Sequence, residues 1–366
     1  MLIAAIMSIG VWRMQKYSSS NQVKELFNQW SSKYIYSTSN GKYVNGSQKG
    51  QTPTAISEAQ GYGMILTVQA AKKGWSNQKT FNQLVTYYLK HRISRDNHLM
   101  SWKQIKKGNA MFTLTDDKVN ATDGDLDIAY SLYQADTLWG SDGSFNYRQI
   151  ADQILHDLLK FTYKKSNSLL VIGNWALNSK KYENLVRTSD LIPAYYRYFY
   201  KKTKDTAWLT IERKSELVLR KLSAQNKTGL LPDFAIIDKK TISPAPAYSL
   251  EGKNDGHYAW NATRTPWRLA LGNSNTTQNT NRKMLNFFKK QTHIRAVYTL
   301  SGKPLTNYGS MAFTAPIAVA ANQQSKDFNT LAVSTKKMVL STKLTGNYYA
   351  DTLQVLAAFY IVSMEE

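Results

Sequence analysis

Cysteine is absent from the 366 residues. That excludes disulfides, thiolate nucleophiles and cysteine-ligated metals, although it leaves the compartment open. Histidine is sparse: His91, His98, His156, His257 and His293 are scattered, with no HExxH or H-x-H spacing. A histidine-based metal site and a cofactor are therefore not expected. Acid is also short, with 25 Asp and Glu against 47 Lys and Arg, a net charge of +22. Such a balance points to anionic surroundings. The lysines nevertheless fall only in short runs such as Lys106-Lys107, Lys164-Lys165 and Lys201-Lys202. No basic arm or nucleic-acid motif is present, so a solvated basic surface is expected rather than a specific nucleic-acid partner. No apolar run reaches the roughly 20 residues that span a bilayer. Strand-like alternation is scarce as well, apart from short extended pieces at Leu169-Leu-Val-Ile172 and Ala296-Val-Tyr-Thr299.

The chain does have core-forming residues, at 42% hydrophobic and 12% aromatic, which sets it apart from disordered sequences. Residues 1–12 are almost wholly apolar and are followed by Arg13 and Lys16. This segment is too short to span and lacks a basic leader and a small-residue cleavage site. It reads as part of a signal or membrane anchor, which implies an extracellular or cell-surface protein. Ser18-Ser-Ser-Asn21 reads as a linker, giving an N-terminal segment 1–20 and one domain over 21–366. From Asn21 onward, apolar residues recur at helical spacing. Val23, Leu26, Phe27, Trp30 and Tyr34 form the first set. Further helices are predicted near 57–72, 78–92, 124–139, 147–163, 188–202, 204–224, 262–271, 279–291, 310–322, 325–341 and 347–363. The class is all-α. The longest connections, 93–122 and 225–260, are candidates for functional loops, because long structureless loops are uncommon in compact domains.

Two stretches carry chemistry. Asn120-Ala-Thr-Asp-Gly-Asp-Leu-Asp127 places Asp123, Asp125 and Asp127 at the start of a helix. Thr122 or Asp123 can cap that helix and carboxylates suit its first turn, but one cap needs one acid. Gly124 in its midst suggests close backbone approach. Ser57-Glu-Ala-Gln-Gly-Tyr-Gly-Met64 sets Glu58 at another helix start, followed by two glycines where better helix formers would be more stable by up to about 1 kcal/mol each. Ser57 as a cap with Glu58 in the first turn is the plain structural reading there. The alternative is that something must approach that helix end closely.

Together these stretches resemble glycoside hydrolase family 8, whose pattern is S-E-G-Q-G-Y-G followed by A-T-D-G-D-x-D-I-A. Six further stretches resemble the family in order: Leu99-Met-Ser-Trp-Lys103, Arg187-Thr-Ser-Asp-Leu-Ile-Pro193, Gly229-Leu-Leu-Pro-Asp233, Asn261-Ala-Thr-Arg-Thr-Pro-Trp-Arg268, Met311-Ala-Phe-Thr-Ala-Pro316 and Tyr348-Tyr-Ala-Asp-Thr-Leu353. The resemblance spans residues 57 to 353. It implies an (α/α)6 barrel of about six helical hairpins and hydrolysis of β-linked glucan or chitosan with inversion at the anomeric carbon.

On that resemblance Glu58 stands at the general acid and Asp123 at the acid that holds the distorted sugar, while Asp125 and Asp127 support the loop or cap the helix. Much of the family carries aspartate as base in the form Y-D-A-x-R-x-P, but here the run is Trp260-Asn-Ala-Thr-Arg-Thr-Pro266. An amide cannot take a proton from water as a carboxylate does. The chain is similar to the branch that keeps asparagine there and draws its base from an inserted loop, which points to Glu251, with Asp255 and Asp190 as alternatives. Tyr62, Trp102, Trp175, Tyr258 and Trp260 are candidate sugar platforms, and all but Trp102, which lies in a family-like stretch, have a competing core reading. Asp190, Asn261 and Arg264 are further candidate substrate-binding residues, and Arg268 is either a site residue or a structural ion-pair partner. The expected partner is a β-linked polysaccharide met by a single chain, with the basic surface held near an anionic envelope. The competing functions are a chitosanase, which the +22 charge opposes because chitosan is a polycation, and a glycan-binding relative that has lost its base.

Overall fold

A computed structural model describes residues 19–48 and 50–365. The apolar run 1–12, with its signal or anchor reading, lies outside them. Twelve α-helices occur in the described residues. The first, α1, is helical over 19–34. It is followed by α2 (Ser57–Lys72), α3 (Gln78–Lys90), α4 (Thr122–Trp139), α5 (Tyr147–Phe161), α6 (Pro193–Thr203), α7 (Ala207–Ala224), α8 (Thr265–Ala270), α9 (Asn275–Phe288), α10 (Met311–Gln323), α11 (Ser325–Ser341) and α12 (Tyr348–Ser363). The even-numbered helices form an inner ring in chain order, and α12 returns to α2 to close it. Each odd-numbered helix from α3 to α11 packs outside the helix that precedes it. Helix α1 covers α12: Trp30 Nε1 donates to Thr352 Oγ1 at 2.9 Å, Tyr34 Oη donates to Asp351 Oδ2 at 2.6 Å, and the Phe27 ring sits edge-on to Phe359. The result is the (α/α)6 barrel.

The two layers differ in residue pattern. Helix α12 buries 13 of its 16 residues and α10 buries 10 of 13. By contrast α3 buries five of 13 and α11 five of 17. A helix apolar all round must be enclosed, whereas one with a single apolar stripe lies at a surface. Apart from α6, which buries only four of its 11 residues, the inner helices are therefore fixed by composition and the outer ones by periodicity.

Several sequence expectations change. Ser19, Ser20 and Asn21 are already helical rather than part of a linker. Helix α6 starts at Pro193, not 188, because Pro193 takes the first helical turn and Thr188–Asp190 forms a separate 3-10 turn. Connection 93–122 is not structureless. Lys103–Lys107 pairs antiparallel with both Thr54–Ile56 and Ala110–Phe112. In 225–260, Phe234–Ile237 pairs with Leu185–Arg187 and Ile242–Pro244. The extended piece at 169–172 shrinks to the strand Leu169–Leu170, and Ala296–Thr299 makes only isolated bridges through Tyr298. Among the described residues, no helix is long and apolar enough to cross a membrane.

Candidate active site

The N-termini of α2 and α4 meet because two glycines let their backbones touch. A Cβ on Gly124 would stand 2.6 Å from the Ser57 carbonyl carbon, and one on Gly61 would stand 2.7 Å from Asp127 Cβ. Neither helix start is capped by a side chain; the N-cap residues are Ile56 and Ala121. The capping expected of Ser57, Thr122 or Asp123 therefore does not occur. Instead Ser57 N donates to Trp102 O at 2.9 Å and Thr122 N to Ile172 O at 3.1 Å. Backbone from adjacent segments does the work of caps, and the first-turn acids are left to face the barrel mouth.

The three acids of the 120–127 stretch part ways. Asp125 accepts from Met100 N at 2.8 Å and Asn120 Nδ2 at 2.9 Å, which ties down the incoming loop. Asp127 receives Arg268 on both oxygens, at 2.7 and 2.5 Å, and the Tyr195 hydroxyl at 3.0 Å. Both residues are fully buried, so Arg268 is the structural ion-pair partner. Asp123 alone reaches the cleft.

Arg264 organises the centre. Its Nη1 donates to Glu58 Oε2 and to Asp123 Oδ2, each at 2.8 Å, and to the Tyr62 hydroxyl at 3.2 Å. Its Nη2 donates to Asn261 Oδ1 at 3.1 Å, and Asn261 Nδ2 donates in turn to Glu251 Oε2 at 2.8 Å. A continuous bridge thus runs from Glu58 through Arg264 and Asn261 to Glu251. Burial pushes the Glu58 carboxyl up to about 7; Arg264 opposes the shift and Asp123 reinforces it. Asp123 is also desolvated, but the guanidiniums of Arg187 and Arg264 outweigh its burial and hold it well below the usual carboxylate range.

Arg187, unassigned from sequence, gathers the opposite wall. It lies 3.5 Å from Asp123 Oδ1, 3.3 Å from Asp190 Oδ2 and 3.7 Å from Glu251 Oε1. Asp190 is buried behind it and does not line the cleft. Burial raises Asp190 to about 6, against the pull of Arg187. Asp233, also unassigned, accepts the backbone N–H groups of Ala259, Asn261 and Ala262 at 3.0, 3.1 and 2.6 Å. It fixes the turn that presents Asn261 and Arg264. Asp255 is turned inward, only 3% exposed. The Glu251 side chain is 50% exposed.

The cleft, about 280 Å³, is lined by Glu58, Asp123, Arg187, Glu251 and Asn261 together with Trp102, Trp260 and Tyr349. Trp102 and Trp260 face it as expected of platforms. Tyr349 was missed; its hydroxyl donates to Trp260 O at 2.6 Å. Two expected platforms are excluded. Tyr62 is fully buried, its ring edge-on to Trp267. Tyr258 is fully buried against Phe288 and Phe313. Both are core residues: Tyr62 lies in α2, which is buried on nearly every side, and Tyr258 is held inside by a backbone bridge to Tyr298. Trp175 is 37% exposed but stands outside the cleft lining, edge-on to Tyr182. A second groove of about 1050 Å³ adjoins at Trp260, between 291–295, 307–311 and α11, and no carboxylate lines it.

Residues 3–362 match the family model of glycosyl hydrolases family 8. A β-glucanase of Niallia circulans is 34% identical over 350 residues, covering 92% of this chain and 83% of the relative. An endoglucanase of Bacillus sp. (strain KSM-330) is 30% identical over 332 residues, covering 85% and 69%. The solved apo structure of a β-1,3-1,4-glucanase from Paenibacillus sp. X4 superposes with a TM-score of 0.87 at 32% identity, covering 95% of this chain and 92% of that one.

Proposed function

Because the chain belongs to glycoside hydrolase family 8 and is a glycoside hydrolase of the endo-β-glucanase type, we propose that it cleaves β-1,4 or mixed β-1,3-1,4 glucan internally with inversion, using Glu58 as general acid and Glu251 as general base. The observation that carries this reading is the bridge from Glu58 through Arg264 and Asn261 to Glu251, with the two ends in different environments. Glu58, raised to about 7, is protonated in a large fraction of molecules up to neutral pH and gives that proton to the departing glycosidic oxygen. Water attacks the anomeric carbon from the other face, and the half-exposed Glu251 takes its proton. One carboxyl ends deprotonated and the other protonated, and solvent restores both. Asp123, kept ionised by two arginines, grips sugar hydroxyls and favours the distorted ring. The Asn261 amide does not replace the base; it orients Glu251.

Trp102 and Trp260 stack sugar rings in the cleft, and the chain of glucan continues past Trp260 into the larger groove. The absence of carboxylates there, together with the net charge of +22, favours a neutral glucan over cationic chitosan. The acid, the proposed base and both tryptophan platforms lie on one chain, and we propose that it acts as a monomer. A polymeric substrate does not cross membranes, which puts the working enzyme outside the cell. Among the described residues ten acids are buried but only two arginines and no lysine, so the surface is more basic than the net charge implies. This suits retention on an anionic envelope; release from anionic wall polymer at low salt would count against it.

The test is reducing-end release from barley mixed-linkage glucan, carboxymethylcellulose and chitosan, with the anomer of the first product followed by NMR. Activity on a glucan, none on chitosan and an initial α-anomer are expected. An initial β-anomer would exclude inversion, and activity on chitosan alone would move the substrate class.

A further inference from the structure

Glu251 sits in a loop without helix or strand, between the strand Ile242–Pro244 and the 3-10 turn Ala262–Arg264. The loop makes a sharp turn at Tyr248, which has φ of +60° and a side chain 74% exposed. A left-handed conformation is unfavourable for a non-glycine residue, and no packing of this ring compensates it. Tyr248 N donates to Gly252 O at 2.8 Å across the turn, and Asp255 holds the residues that follow it. Its Oδ2 accepts from Leu250 N at 2.7 Å and from Glu251 N at 3.1 Å, and its Oδ1 accepts from Gly252 N at 2.9 Å. Asp255 is itself anchored: Phe234 N donates to its carbonyl at 2.8 Å. Phe234 belongs to the strand paired with Leu185–Arg187, and its ring lies 5.5 Å from the Arg187 guanidinium. The backbone of Glu251 is therefore tied to the same strand pair that carries Arg187.

We propose that Asp255 is a positioning residue that sets where Glu251 stands in the cleft. It fixes the Glu251 backbone, while Asn261 at 2.8 Å and Arg187 at 3.7 Å fix the carboxylate. This rests on Glu251 being the base. It also gives Asp255 a function other than the base role the sequence left open to it, since both its oxygens are turned onto backbone amides.

The test is a double-mutant cycle on mixed-linkage glucan with wild type, Asp255→Asn, Glu251→Gln and the double variant. An asparagine offers one acceptor oxygen where two are used, so one backbone N–H would face the amide NH2. A misplacement of about 1 Å at a reacting group can cost on the order of 100-fold. Asp255→Asn is expected to lower kcat by about 10- to 100-fold with KM changed less than about twofold. In the Glu251→Gln background the same change is expected to do nothing further, because it acts through Glu251. Wild-type kcat in Asp255→Asn, or an equal loss in both backgrounds, would overturn the proposal. Glu251→Gln with wild-type turnover would instead sink the base assignment, a result the single variant reports by itself. Hydrogen exchange on the unaltered protein covers the case in which Asp255→Asn does not fold. The amides of Leu250, Glu251 and Gly252 are expected to be protected well beyond that of Ser249, and equal, fast exchange across 249–252 would remove the clasp.

Discussion

The two walls of the cleft are built by opposite means. On one, Glu58 and Asp123 occupy the first turns of two inner helices locked together through Gly61 and Gly124, with Arg264 between them. On the other, Glu251 rides an irregular loop clasped by Asp255. The first wall is dry: the Glu58 side chain is 16% exposed against 50% for Glu251. The difference suits the chemistry proposed for each. A general acid near neutral pH must be desolvated to keep its proton, which needs rigid, close-packed backbone. A base that activates water must meet solvent, so it belongs on a segment that is held but not enclosed.

The comparison is tested most severely by removing each carboxyl in turn. Glu58→Gln should lower kcat on polymeric glucan by about 10³-fold or more, and Glu251→Gln by about 10²- to 10³-fold, with glucan binding kept in both. An aryl β-glycoside whose leaving group needs no proton separates them: it should recover much of the rate in Glu58→Gln and little in Glu251→Gln. Recovery in both, or in neither, would erase the distinction between the walls.

A smaller effect is the alkaline limb. The acid works only while protonated, and Glu58 is raised to about 7, so kcat/KM should fall about tenfold per pH unit above roughly pH 7. A rate flat up to pH 9 would mean that Glu58 is not the acid. The smallest effect concerns the helix contact. Gly124→Ala gains up to about 1 kcal/mol in helix propensity, but its methyl would meet Ser57 backbone at 2.6 Å. Overpacking of that kind costs about 1–3 kcal/mol. A lowered Tm is expected, together with a loss of activity larger than the loss of stability, since Glu58 adjoins Ser57. An unchanged Tm would mean that the two helices do not meet as closely as described.

The helix-borne wall was far more legible in the sequence than the loop-borne one. Glu58 and Asp123 stand in glycine-containing stretches whose local oddity, poor helix formers in a helix start, signals an outside constraint. Arg187, Asp233 and Tyr349 lay inside quoted motifs, yet no local pattern assigned them roles. Arg187 matters because it meets acids from three segments, and Asp233 because it gathers amides 26 to 29 residues away. The strands in 93–122 and 225–260 were missed for a similar reason: they are three to five residues long, and the central ones, Lys103–Lys107 and Phe234–Ile237, each take a partner from a distant segment. Tyr62 and Tyr258 show the reverse error, where an aromatic beside a site motif turned out to be core.

By itself the sequence determined the helical class and most helix limits. Those properties follow from apolar periodicity within a single segment. Only the tertiary structure decided that α12 closes on α2, that Arg264 stands between Glu58 and Asp123, and that Glu251 faces the cleft while Asp255 faces inward. Glu251 and Asp255 are carboxylates four residues apart in one loop. Which of them is buried depends on the backbone at Phe234, and a contact across that distance in sequence exists only once the chain has folded.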